Sequence, residues 1–216
     1  MALRTLGLMS CFYWLAALSY VISMHYFASP WHSLHKALPI ILLALLSLFF
    51  AHKTIRWKLF AALLSSVCGD ILLASEIKHA FVLGLSAFAL AHVCYCMCFW
   101  RSVKWSLKPL PIVALLVAIL LVVLLTIVPH TQQLFFPVLG YMAIITLMAT
   151  LAIFAGQHHY WLSLGALMFV ISDSLIAWNK FIMALPHEHL LVMMSYYLAQ
   201  YCLFCGCIKQ VSSHDN

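Results

Sequence analysis

Charge is what this sequence lacks. Of its 216 residues only five are Asp or Glu and eleven are Lys or Arg, so charged side chains make up 7%, against about 25% in an average soluble domain. That is too little polar surface to cover a globule in water. Disorder is excluded by the opposite property: 66% of the residues are hydrophobic types that bury themselves, and mean hydropathy is +1.08. No linker or low-complexity segment divides the chain. The basic residues form short clusters between apolar runs and make no nucleic-acid surface, so no nucleic-acid partner is expected. There is no His-Glu-x-x-His ligand pair and no Gly-x-Ser-x-Gly elbow. Eight cysteines lie almost entirely inside apolar runs, and Cys94-x-Cys96-x-Cys98 points in several directions on a helix, which favours apolar filler over a metal or disulfide framework. Twelve histidines are present, but His187-x-His189 in a loop is a weak signal, and no metal site is expected.

What is present is a succession of apolar runs near 6–27, 37–51, 57–75, 80–100, 109–128, 134–155, 161–178 and 189–208. A helix needs about 20 residues to cross the hydrocarbon core. The expectation is therefore an all-α polytopic membrane protein of eight transmembrane helices, forming one integral membrane domain over residues 1–216. The 37–51 run is short and would recruit flanking residues. Breaks fall at Pro30 and His32, His52 to Lys58, Ser75 to Lys78, Pro129 and His130, Gly156 to His159, and Pro186 to Glu188, while Pro39, Pro109 and Pro111 are expected in first helical turns. The first run follows Arg4 but is about twice the length of a signal-peptide core, and it ends in Tyr20, Tyr26 and Phe27, so it is read as a true span. Alternate loops carry eight basic residues on one side (Arg4, Lys53, Arg56, Lys58, Arg101, Lys104, Lys108, Lys209) and three on the other (Lys36, Lys78, Lys180). The excess places both termini in the cytoplasm.

Two acids lie deep in these runs. Asp70 sits in Gly69-Asp70-Ile71-Leu72-Leu73-Ala74 and Asp173 in Ser172-Asp173-Ser174-Leu175-Ile176-Ala177, 103 residues or four spans apart. Each lies 13 residues beyond an aromatic, Trp57 or Tyr160, which puts each carboxyl about 20 Å from the cytoplasmic end. Equal depth on helices of equal polarity suggests a parallel duplication of a four-helix unit, with repeats 1–104 and 105–216.

A charged group at the centre of a bilayer costs at least about 2.5–3.5 kcal/mol. Both acids must therefore face a partner, a polar cavity or each other. One reading is structural, each Asp bonding Ser66, Ser172 or a tyrosine to hold helices together. The other is an acid–base pair, since like charges in low dielectric cannot both ionise. A proton-coupled transporter or lipid-binding protein using the same carboxyls is the alternative function. Further polar side chains within spans are His92 and Tyr95, which share a helix face, and Tyr196, Tyr197 and Gln200 in the last span. Lys180 lies seven residues past Asp173 on the same face, placed to hold a lipid phosphate or to snorkel.

At these residues the sequence resembles the YhhN-like lysoplasmalogenase family of eight-span membrane proteins. The likeness is carried by Cys68-Gly69-Asp70-Ile71-Leu72-Leu73, by Gly84-Leu85-x-x-Phe88 with His92 and Tyr95, by Gly165-Ala166-x-x-Phe169-x-x-Ser172-Asp173-Ser174-Leu175, and by Tyr196-Tyr197-x-Ala199-Gln200. Lys36-Ala37-Leu38-Pro39 is similar to the family's Lys-then-Pro start of the second span. The resemblance implies an ether hydrolase that cleaves the vinyl-ether bond of a lysophospholipid, releasing a fatty aldehyde and a glycerophospho-ethanolamine or -choline. It implies no metal or organic cofactor, and a place in the bacterial inner membrane or the endoplasmic reticulum membrane among its lipids. Asp70 and Asp173 would be the acid–base pair. His92, Tyr95, Tyr196, Tyr197 and Gln200 would orient water or the ether oxygen, and Lys36 or Lys180 would meet the phosphate.

Overall fold

The computed structural model describes residues 2–24, 31–156 and 160–212. Within them the chain forms eight α-helices: α1 (Ala2–Ser23), α2 (Trp31–Phe50), α3 (Arg56–Leu73), α4 (Ala80–Phe99), α5 (Leu110–Ile127), α6 (Phe135–Ala155), α7 (Trp161–Phe181) and α8 (Glu188–Ser212). Short 3-10 turns follow α4 and α5, and there is no strand among the described residues. His25, Tyr26, Phe27 and Pro30, and residues 157–159 of the break after Gly156, lie outside the described residues.

Six of the helices, α2 and α4 to α8, are long and apolar enough to cross a membrane. Together with the composition this makes an integral membrane protein. The described apolar part of α1, Gly7–Ser23, is shorter, and α3 carries Arg56, Lys58 and Asp70. Large apolar side chains point outward, Phe49 and Leu125 among them, whereas Ser47, Ser66, Asp70, His92 and Gln200 are buried. Polarity is turned inward, as expected when the surroundings are lipid and a polar group finds partners only inside the bundle.

The most extensive pairings are α3 along α4 and α7 along α8, with α2 against α3, α4 against α6 and α6 against α7. Helix α5 is the most apolar and the least covered, and α8 and α6 are the most enclosed. The site therefore lies among α2, α3, α4, α6, α7 and α8.

Pro39 differs from expectation. It is the ninth residue of α2, not a first-turn residue. The helix begins upstream because His35 and Lys36, too polar to count in the apolar run, are accommodated inside the bundle: His35 meets Ser19 and Ser23 of α1, and Lys36 meets Asp70 of α3. Pro109 and Pro111 do stand at the start of α5.

Helices α7 and α8 approach closely at Gly165, where an added Cβ would come within 2.8 Å of the Leu203 backbone nitrogen and 3.0 Å of the Ala199 carbonyl. Small residues at such crossings let membrane helices pack backbone to backbone. Gly140 of α6 has nothing within 4 Å of the same position. Gly165→Ala is accordingly expected to cost about 1–3 kcal/mol of overpacking and to lower the unfolding temperature in detergent, while Gly140→Ala melts with the wild type. Equal melting of the two variants would contradict the close crossing.

Candidate active site

Asp70 lies near the end of α3 and is 2% exposed. From α2 the Lys36 ammonium stands 3.3 Å from its Oδ1. From α8 the Tyr196 hydroxyl donates to its Oδ2 at 2.7 Å. Both carboxylate oxygens are thus occupied, one by a cation and one by a phenol, partners that offset part of the cost of burying the acid. The lysine is itself fixed through its backbone: Tyr197 of α8 donates to the Lys36 carbonyl at 2.8 Å, and Tyr13 of α1 donates to the Tyr197 carbonyl at 2.6 Å. Pro39 has no N–H to offer the His35 carbonyl one turn back, so the helix ladder is already interrupted beside the carbonyl that Tyr197 takes.

Asp173, in the middle of α7, has a different set of partners. The Tyr141 hydroxyl of α6 donates to its Oδ2. His92 of α4 places Nε2 3.0 Å from the Tyr141 oxygen and 3.7 Å from the same carboxylate oxygen. Because Tyr141 spends its single hydrogen on Asp173, the imidazole Nε2–H is the donor to the phenol oxygen. His92 Nδ1 is then the bare nitrogen, and it is buried without a partner among the described residues, which a neutral ring tolerates better than an imidazolium.

The two carboxyls differ in access. The Asp173 side chain is 14% exposed and forms part of the wall of an open cleft of about 500 Å³. Leu73, Phe81, Leu85, Phe88 and Phe181 are among its lining residues, and only Asp173 and Tyr141 bring polar atoms to side chains there. Lys180 holds its ammonium 4.3 Å above the ring of Phe81, and so stands beside the cleft. No hydrogen bond or ion pair joins Asp70 to Asp173 among the described residues. The centres are instead linked through aromatic rings. Phe169 packs at 4.6 Å from His92 and 5.6 Å from Tyr196, and Phe88 at 5.8 Å from Tyr196 and 6.1 Å from Phe169.

The family model described as the YhhN family matches residues 31–207. The chain belongs to the YhhN family. It is similar to human "Lysoplasmalogenase TMEM86B", 36% identical over 143 residues that cover 64% of this chain and 58% of that protein. Human "Lysoplasmalogenase TMEM86A" is 32% identical over 181 residues, covering 78% and 74% respectively. A Mycobacterium tuberculosis "Lysoplasmalogenase" is 35% identical over 134 residues, covering 59% and 51%. The chain spans 58% to 64% of the length of the TMEM86B relatives it matches. No solved structure matches. The YhhN match takes in both acidic centres and leaves out the whole of α1.

Within this YhhN protein the residues singled out from the sequence separate into groups. Lys36, Asp70 and Tyr196 form one centre, and His92 and Asp173 belong to the other. Phe88 and Phe169 pack between the two centres. Lys36 was expected to meet a phosphate, and its ammonium is on Asp70, the nearest way to neutralise a buried acid. Tyr197 faces the Lys36 carbonyl, so of the two adjacent tyrosines only Tyr196 donates to a carboxylate. Tyr95 donates to Gln200 Oε1 at 2.6 Å, and that buried pair bonds to neither Asp. Ser66 and Ser172 bond backbone carbonyls rather than the acids. Tyr141 was missed. Its signal was a phenol in the middle of the 134–155 run, the same kind of signal that drew attention to Tyr95. Among the described residues no group of three His, Cys, Asp or Glu could hold a metal, and the eight cysteines are free.

Removing one member of a buried ion pair leaves the other uncompensated, at about 3–5 kcal/mol. Lys36→Met should therefore unfold at markedly lower temperature in detergent, and adding Asp70→Asn to it should recover most of the loss. A double variant no more stable than Lys36→Met alone would show that the lysine acts through something other than the carboxylate.

Proposed function

We propose that this protein hydrolyses the vinyl-ether bond of lysoplasmalogens, releasing a fatty aldehyde and a glycerophospho-ethanolamine or -choline. The observation that carries the reading is a hydrogen-bonded carboxyl, Asp173, on the wall of an otherwise apolar intramembrane cleft. The names of the YhhN relatives support it. The cleft suits a single long chain, and Lys180 beside Phe81 suits a phosphate at its edge.

Cleavage of a vinyl ether begins with protonation at its β-carbon. Asp173, in its neutral form, gives its proton to that carbon, the double-bond electrons form the new C–H bond, and positive charge develops on the α-carbon and ether oxygen. Tyr141 and His92 hold the resulting carboxylate, the phenol hydrogen bonding the oxygen that has lost the proton. Water then adds to the α-carbon. Its proton passes to the Tyr196 oxygen as Tyr196 hands its own to Asp70, which Lys36 keeps in the charged, accepting state. The hemiacetal collapses as its hydroxyl proton goes to the Asp173 carboxylate and Asp70, through Tyr196, returns a proton to the departing glycerol oxygen, which restores both acids. Two carboxyls kept in opposite protonation states by their partners are what acid–base catalysis of this kind uses, and no metal enters.

In the same reading α1 and α3 are also crossings, which gives eight spans with both ends of the sequence on the basic, cytoplasmic side. The α3–α4 and α7–α8 pairs would be corresponding parts of two parallel repeats, each pair led by its acidic helix.

The test is incubation of purified protein with a defined lysoplasmalogen beside its acyl analogue, with products identified by mass. Aldehyde should form from the alkenyl lipid alone and be indifferent to chelators. Asp173→Asn should lose about 10²–10⁴-fold of the rate while remaining folded, Asp70→Asn should lose as much against Lys36→Met as the background that removes its counter-charge, and Tyr141→Phe should lose less. Normal aldehyde release by both Asn variants would end the mechanism. Gradient-dependent uptake into proteoliposomes without product would favour a carrier instead.

A further inference from the structure

Helix α4 borders a second concavity, at the opposite end from Phe81. It encloses about 740 Å³ between α4 and α6. Val93 and Met97 of α4 and Leu147 and Leu151 of α6 form its apolar walls, while Lys58, Arg101 and Trp100 gather at one end and no acid lines it. We infer that this groove binds one anionic phospholipid, with an acyl chain along α4 and α6 and the phosphate between Lys58 and Arg101.

Four observations converge on that occupant. Met97 and Leu147 are about half exposed, so the walls face the surroundings of the bundle, which are lipid. The walls run from Arg101 back to Val93, eight residues, or about 12 Å along a helix, a depth that suits a chain and not a headgroup. Trp57, Trp100 and Trp105 are all more than 60% exposed at the charged end, where indole rings mark the headgroup level of a membrane. Lys58 is positioned rather than loose: its Nζ donates to the Met97 carbonyl at 3.5 Å, which holds the ammonium over the groove's end. A zwitterionic headgroup would bring its own cation into this acid-free setting, whereas an anionic one offers only the charge that the two side chains lack. The inference is independent of the hydrolase reading, since the groove shares no lining residue with the Asp173 cleft.

Native mass spectrometry of the purified full chain tests it, after exchange into micelles holding equal amounts of dioleoyl phosphatidylglycerol and dioleoyl phosphatidylcholine. One phosphatidylglycerol should be retained in preference. Lys58→Ala and Arg101→Ala should each weaken that preference about fivefold, Lys58→Arg should keep it, and added salt should erode it. Leu147→Trp, which narrows the groove and leaves the cations in place, should lower retention as well. Equal retention of the two lipids by the wild type would overturn the proposal. So would undiminished preference in the Lys58→Ala/Arg101→Ala double variant, or a lipid-free dimer that Leu147→Trp dissociates.

Discussion

The Lys36–Asp70 ion pair is the constraint on which the rest of the bundle turns. An acid placed near the end of α3 can remain inside a membrane protein only if something neutralises it there. The lysine that does so lies in what would otherwise be an interfacial segment, and meeting Asp70 draws that segment into α2 as helix. The carbonyl of the same lysine then anchors Tyr197, the Tyr197 carbonyl anchors Tyr13, and the adjacent Tyr196 completes the carboxylate. Four helices are positioned by one buried charge. A desolvated pair of this kind adds little net stability, but it admits few alternative arrangements, so its contribution is to specificity of packing.

Asp173 is held differently, and the contrast is chemical. No Lys or Arg pairs with it among the described residues; a phenol and an imidazole take that place. Asp173 is also the more exposed of the two acids, and it is the one that meets the cleft. Phe169 packs against Tyr196 of one centre and against the His92 ring of the other.

Much of this was legible in the sequence, and unevenly so. Helix positions follow from apolar run length and punctuation, and α2 departs most, because its first two turns carry His32, His35 and Lys36, the last two of which find partners on other helices. Asp70 and Asp173 stood out because charge in hydrocarbon is costly wherever it occurs. Their partners were harder to assign. Tyr196 and Tyr197 are neighbours with the same chemistry, and only the rotation of α8 decides which one meets Asp70. Tyr141 looked like one more aromatic in an aromatic-rich chain; its importance comes from the crossing of α6 with α4 and α7, which no local pattern encodes. Lys36 is the instructive case, since a cation near a membrane surface and a cation beside a buried acid are written with the same residue.

The two cavities divide α4 between them. Phe81, Leu85 and Phe88 belong to the cleft, and Val93, Cys96 and Met97 to the groove. From Phe81, which carries Lys180 on its ring, to Arg101 is 20 residues, about 30 Å of helix and the thickness of a hydrocarbon core. A headgroup held by Lys180 and one held by Lys58 and Arg101 would therefore occupy opposite faces of the membrane, and their chains would enter the bundle from opposite leaflets. Occupancy of the groove can then brace α4 against α6 without competing for the cleft. Since α4 supplies His92 and α6 supplies Tyr141, a lipid seated on one face would bear on the spacing of the two side chains that hold Asp173 near the other.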